Sequence, residues 1–235
     1  MALIELAQVN YLYRTDELET RALNQVSMAL QAGDYVAISG PSGCGKSTLL
    51  SVLGLLENPS SGSYRLNDRE TIGLTANERA RVRNLEIGFV FQAFHLLADL
   101  NVLDNVSLPL KYRRILSKAE CRARAEQALE RVGLSHRAKH APGQLSGGQQ
   151  QRVAIARAIA GAPKLLLADE PTGNLDSATG EDVMNLLQSL NEGGMTIVLV
   201  THEARFAARA KNELRMHDGE LRDAGVGAES ASLGT

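Results

Sequence analysis

The stretch from Tyr35 to Leu56 constrains this chain more than any other. An apolar run, Tyr35, Val36, Ala37 and Ile38, reads as a buried strand and leads into Gly40-Pro41-Ser42-Gly43-Cys44-Gly45-Lys46-Ser47-Thr48. A helix carrying Leu49, Leu50, Val52, Leu53, Leu55 and Leu56 is expected to follow. A strand, a glycine-rich turn and a helix start in this order make a P-loop, in which free N–H groups and the helix dipole converge on one phosphate-binding spot. Gly40, Gly43 and Gly45 let the backbone wrap around an anion. Lys46 supplies positive charge for the outer phosphates, and Ser47 offers a hydroxyl to Mg²⁺.

At 235 residues, 44% of them hydrophobic, the chain can bury one good core, or a core with a smaller attached subdomain. A net charge of -2 leaves no nucleic-acid footprint, so no nucleic-acid partner is expected. The basic groups Arg79, Arg81, Arg83 and Lys111, Arg113, Arg114 are read as solvated faces, with polyanion binding as the alternative. No apolar run approaches the ~20 residues of a bilayer span, and the start lacks the basic and apolar regions of a signal peptide. The expectation is a soluble protein that stays in the cytosol. Of the two cysteines, Cys44 lies in the P-loop and Cys121 in a polar helical stretch, so no structural disulfide is expected. Cys44 is a candidate reactive thiol, because a helix N-terminus and Lys46 both favour thiolate.

Leu3, Ile4, Leu6, Val9 and Tyr11 suggest one strand, and Val26, Met28 and Leu30 alternate as a second, together an antiparallel hairpin. The polar stretch Arg14 to Arg21 is read as the loop between them, with Tyr13 before it as a packing residue at a strand end. Asn58 to Gly62 is a turn, Ser63 to Leu66 a short strand, and Thr75 to Asn84 a charged helix. Ile87 to Phe91 is a strand ending at Gln92. A helical lobe is expected over about 94–162, where Ser117 and Glu120 form a capping box. Ala125, Ala128, Leu129 and Val132 recur at helical spacing there, and Gly133 stops the helix. The last lobe helix starts at Leu145-Ser146-Gly147-Gly148-Gln149, with Ser146 and Gln149 again at capping-box spacing; taken alone, it is either a simple cap or a second anion site. Leu165 to Ala168 reads as a parallel strand buried on both faces. It ends in Asp169-Glu170, which are either turn formers or a metal-shell carboxylate beside one that orients water. Thr196 to Val200 ends in Thr201-His202, a structural histidine or one that bonds a γ-phosphate. The tail after Gly219 is expected to be disordered.

In their order and spacing, the P-loop Gly40 to Thr48, Gln92, Leu145 to Gln149, Asp169-Glu170, Asn174-Leu175-Asp176 and His202 resemble the nucleotide-binding subunit of an ABC transporter. The resemblance covers nearly the whole chain. It implies an α/β fold: a P-loop NTPase (RecA-like) core with an antiparallel β subdomain and an inserted α-helical subdomain, within one ATPase domain over 1–222 and a tail over 223–235. It implies ATP and Mg²⁺ as ligands. Tyr13 would stack on adenine, replacing the packing role. Gly40, Ser42, Gly43, Cys44, Gly45, Lys46, Ser47 and Thr48 would hold the phosphates, with Ser47, Gln92 and Asp169 around Mg²⁺. Glu170 would be the catalytic base and His202 the γ-phosphate switch.

The family works as a head-to-tail pair, which implies a homodimer here. Leu145, Ser146, Gly147, Gly148 and Gln149 would act on the ATP of the other subunit, with Asp176 at the seam. Gln92 and the apolar residues Phe94, Leu96, Leu97, Leu100, Val102 and Leu103 would couple hydrolysis to an integral permease subunit, with some of the apolar residues serving as lobe core instead. That coupling implies a peripheral position on the cytoplasmic face of the inner membrane. The stretches 84–92 and 105–110 and the loop after Tyr13 resemble the group of MacB, LolD and FtsE, whose permeases bear a large extracytoplasmic domain. Cys44 departs from the serine usual there. An amino-acid importer ATPase is the alternative. Soluble DNA-repair or translation ATPases would need a long coiled-coil insertion or a second cassette, and a non-hydrolysing sensor would lack Glu170 or His202. The transported substrate is not written in this chain, because specificity belongs to the partner.

Overall fold

The computed structural model describes residues 2–14, 19–113 and 115–223. Strands β1 (Ala2–Arg14) and β2 (Glu19–Gln31) pair antiparallel. Left-handed residues in both, Gln8 at φ 49° and Gln25 at φ 48°, accompany shifts of register that keep Leu6, Val9, Leu23 and Val26 all facing inward. Both strands extend into the stretch expected as loop, because Tyr13 and Arg14 pair with Thr20 and Glu19. The remainder of that expected loop, 15–18, lies outside the described residues.

The chain then enters a second sheet through β3 (Tyr35–Ser39), passes the P-loop and forms α1 (Lys46–Leu53). It returns to the first sheet as β4 (Ser61–Leu66) and β5 (Arg69–Glu70), giving the order β2-β1-β4-β5. After α2 (Ala76–Glu86) and β6 (Ile87–Val90) comes the helical lobe: α3 (Val102–Lys111), α4 (Lys118–Arg131) and α5 (Gly147–Ile159). The second sheet is completed by β7 (Leu165–Asp169), α6 (Ser177–Glu192), β8 (Thr196–Val200), α7 (Ala204–Ala207), β9 (Asn212–His217) and β10 (Glu220–Asp223). Its order is β10-β9-β3-β8-β7-β6, parallel except for β10. Among the described residues no helix is long and apolar enough to cross a membrane.

Strand parity divides the core. Leu165, Leu167, Val198 and Val200 pack with α1 and the antiparallel sheet; Leu166, Ala168, Ile197 and Leu199 pack with α5, α6 and the lobe. Because β8 separates β3 from β7, the ends of those two strands stand about 10 Å apart. A ligand therefore has room between the P-loop and Asp169.

Several expectations are corrected. Helix α1 stops at Leu53, because Gly54 caps it, Leu55 turns to φ 56° and the Leu56 N–H reaches back to Ser51 O; Leu55 and exposed Leu56 are not helical. Cys121 lies in the polar helix α4 as expected, a free thiol buried on its inner face. Arg83 and Arg113 turn inward to supply donors to carbonyls: Arg83 to Leu55 O at 2.9 Å, Arg113 to Gly161 O at 2.8 Å and to Asn84 O. Arg114 lies outside the described residues. The chain stays ordered through Asp223, since Asp218 and Gly219, both at positive φ, make the tight turn that folds β10 onto β9. The rest of the expected tail, 224–235, lies outside the described residues.

Residues 94–101 form no helix. Buried Asn105 holds this segment: its Oδ1 accepts from Leu97 N at 2.8 Å, and its Nδ2 donates to Leu97, Leu100 and Asn101 carbonyls at 3.0 Å. Asn105→Ala is expected to cost about 3 kcal/mol through buried groups left unpaired. Chemical denaturation would read the loss, and hydrogen exchange would show faster amides over 97–101 with β3 unchanged.

Candidate functional site

The P-loop helix begins without help from a side chain. Helices α2 to α6 are capped by Thr75, Asn101, Ser117, Ser146 and Asp176, whereas α1 starts at Gly45 with no side-chain hydrogen bond to its first turn. Its orphan N–H groups face a cavity of about 700 Å³. Gly45 sits at φ 109°, and a Cβ there would lie 2.4 Å from Ala22 O, so only glycine lets the loop pass under β2. Lys46 is buried along the loop, its Nζ donating to Gly40 O at 2.8 Å and Pro41 O at 2.7 Å. The Cys44 thiol is free and buried beside it, 3.8 Å from Nζ.

The cavity brings together Tyr13, Gly40, Ser42, Gly43, Cys44, Gly45, Lys46, Ser47, Thr48, Glu170 and His202. Tyr13 is 48% exposed, with its hydroxyl 3.3 Å from Thr48 Oγ1. Glu170 leaves β7 at φ 43°, pinned by its N–H to Val200 O at 2.9 Å, and its Oε1 lies 3.2 Å from His202 Nδ1. Asp169 stands just before it. Burial raises the Asp169 carboxyl above the usual range, the neighbouring Glu170 charge adds to this, and Lys46 opposes it.

Thr20, Arg21, Ala22, Val200, Asp218 and Gly219 also line the cavity and were not singled out from sequence. The Asp218-Gly219 turn pair was a usable signal; Thr20, Arg21 and Ala22 carried none, because strand pairing brings them there. A larger cleft of about 840 Å³, between β2 and β9, contains none of the expected site residues.

The remaining expected residues gather elsewhere. Gln92 is exposed outside the cavity, its carbonyl accepting from Asn174 Nδ2 at 3.0 Å. The starts of α5 and α6 pack side by side: a Cβ on Gly148 would meet Thr179 Cγ2 at 2.1 Å, and Thr179 in turn donates to Asp176 through N–H at 3.0 Å and hydroxyl at 2.6 Å. These bonds hold the Asp176 carboxyl below its usual range. Ser146 and Gln149 form the capping box, which takes their own N–H groups and leaves those of Gly147 and Gly148. Leu145 is buried in the lobe core, and so is Val102, which takes the core role among the apolar residues; Leu97 is exposed. The chain thus carries two separate constellations, a phosphate-type cavity and a paired helix-start surface.

Comparison with known proteins places these features in a family. A sequence model of the ABC transporter family matches residues 23–173. A macrolide export ATP-binding/permease protein MacB of Paracoccus denitrificans is 47% identical over 233 residues, 99% of this chain and 35% of that protein. An uncharacterized ABC transporter ATP-binding protein of Methanocaldococcus jannaschii is 48% identical over 219 residues, 93% of this chain and 97% of that protein. The dimeric post-hydrolysis structure of the ATP-binding cassette MJ0796 bound to ADP and Pi superposes with a TM-score of 0.85 at 42% identity, covering 95% of this chain and 99% of that one. The chain spans about a third of the length of the MacB relatives it matches.

Asp169 supplies a pH prediction. Its folded pKa is raised, so the native state binds this proton more tightly and stability falls as pH rises from the unfolded carboxylate value through the folded one. Asp169→Asn is therefore expected to raise the melting temperature of the ligand-free protein at pH 7 and to leave it little changed at pH 3, as read by calorimetry.

Proposed function

The chain belongs to the ABC transporter family, and from that membership we propose that it is the ATP-binding and ATP-hydrolysing subunit of a membrane export, lipoprotein-release or mechanotransmission complex. One observation carries the reading: the uncapped start of α1 faces the Glu170–His202 pair across one cavity. Its volume of about 700 Å³ suits a nucleotide.

In this reading adenine stacks on Tyr13. The triphosphate lies in the loop Gly40, Ser42, Gly43, Cys44, Gly45, Lys46, Ser47 and Thr48, where N–H groups and Lys46 meet its charge. Glu170 orients a water and takes its proton as the water attacks the γ-phosphorus in line; the bond to the ADP oxygen breaks, giving ADP and phosphate. His202, fixed by Glu170, holds the γ-phosphate. Among the described residues no group of three or more His, Cys, Asp or Glu is placed to hold a metal alone. Ser47 lines the cavity and Asp169 adjoins Glu170, so these oxygen donors would hold Mg²⁺, and Gln92, exposed outside the cavity, would have to turn inward to join them; the ion would neutralise charge on the transferred group.

Two copies meet head to tail. Ser146, Gly147 and Gly148 of one cover the ATP of the other with the N–H groups that the capping box leaves, and Leu145 and Gln149 anchor that helix start. Asp176 lies near the seam. Support comes from the separation of the two constellations on one chain, and from the dimeric state of MJ0796. Residues 1–222 act as one ATPase domain with the lobe at 94–162. The word permease in the MacB relatives' names supports an integral membrane partner, contacted through Gln92, Leu97 and their neighbours on the cytoplasmic face of the membrane. A partner with a large extracytoplasmic domain follows from the MacB-type resemblance.

Glu170→Gln tests this. ATP binding is expected to persist while hydrolysis falls about 10²- to 10⁴-fold. Used as bait with Mg-ATP in its own membranes, the variant should recover a permease of few spans with a large extracytoplasmic domain. A many-span permease with a solute-binding protein would make this an importer ATPase, and recovery of no membrane protein would overturn the transport role alone.

A further inference from the structure

Two tyrosines on one face of β1 tie that strand to both ends of the P-loop helix. Tyr13 OH meets Thr48 Oγ1, on the first turn of α1, at 3.3 Å. Tyr11 OH donates at 2.9 Å to Glu57 Oε2, just beyond the last turn. Glu57 is held there by its own N–H, which donates to Ser51 O at 3.2 Å. Between the two anchors the rings meet edge to face, with centroids 4.9 Å apart and planes at 67°. Tyr11 is half-buried and lies outside the cavity, whereas Tyr13 forms part of its wall.

We propose that Tyr11, fixed by Glu57, is a positioning residue that sets the Tyr13 ring as the platform for the nucleotide base. This rests on the reading of Tyr13 as the base-stacking residue. An exposed ring at a strand end samples several rotamers, and any freedom it loses on stacking subtracts from affinity. The edge-to-face contact removes that freedom beforehand, and such pairs add measurably to simple burial. Tyr11 can restrain Tyr13 only if it is itself fixed, and the bond to Glu57 does this. Burial, and then Glu57, push the Tyr11 phenol up to about 12, so it remains a donor at any neutral pH. Neither Tyr11 nor Glu57 lines the phosphate-binding cavity, so their effect is specific to the base.

Calorimetry on the full chain with ATP and with inorganic tripolyphosphate separates base from phosphate recognition. Tyr11→Leu is expected to weaken ATP binding about three- to tenfold and leave tripolyphosphate unchanged. In turnover this appears as a higher KM at unaltered kcat. Glu57→Ala should give a smaller loss of the same kind, and Glu57→Gln, which keeps an acceptor for the Tyr11 hydroxyl, should restore ATP affinity. Equal weakening of both ligands by Tyr11→Leu would mean a general structural role and overturn the proposal. So would unchanged ATP affinity in Tyr11→Leu when Tyr13→Ala weakens it. Unchanged ATP affinity in Tyr13→Ala would remove the platform itself, and the proposal with it.

Discussion

The uncapped start of α1 is the constraint on which the rest of the structure depends. Five other helices close their first turns with a side chain, so this sequence is well able to write a cap; at Gly45 it does not. Donors left in this way favour an anion, and the helix dipole adds to the attraction. To keep them open the loop must be held from outside itself. Ala22 O presses on the Gly45 position and Gly219 N donates to Cys44 O at 3.0 Å, while inside the loop buried Lys46 ties back to Gly40 and Pro41. The antiparallel sheet and the β9–β10 turn are thus supports of the phosphate loop as well as parts of the core.

Sheet order provides the chemistry's second half. With β8 between β3 and β7, the carboxylates of Asp169 and Glu170 stand across a gap from the loop. Asp169 is held against its own ionisation, and Glu170 occupies a left-handed backbone conformation that costs of order 1–3 kcal/mol. Both features oppose stability, and Glu170 lines the cavity with Asp169 next to it in the chain. The second feature aims the Glu170 carboxylate at His202.

Much of this was legible in the sequence, wherever local signals and chemistry coincided. The apolar runs Tyr35–Ile38, Leu165–Ala168 and Thr196–Val200 each end in the residues that line or adjoin the site. The boxes at Ser117 and Ser146 formed as their spacing dictated. Illegible features depend on distant parts of the chain. Arg83 and Arg113 look like surface charges until the carbonyls of Leu55, Asn84 and Gly161 are brought to them. Tyr11 and Glu57 are 46 residues apart and carry no motif. The helix starts at Gly147 and Ser177 gave no local sign that they would pack together through Gly148 and Thr179.

The central claim is that the two constellations, separate within one chain, complete each other between two chains around ATP. Sedimentation of the Glu170→Gln protein with and without saturating Mg-ATP tests this most directly. The account predicts the mass of one chain without nucleotide and of two chains with it. A single-chain mass at saturating ATP, with nucleotide bound, would contradict it.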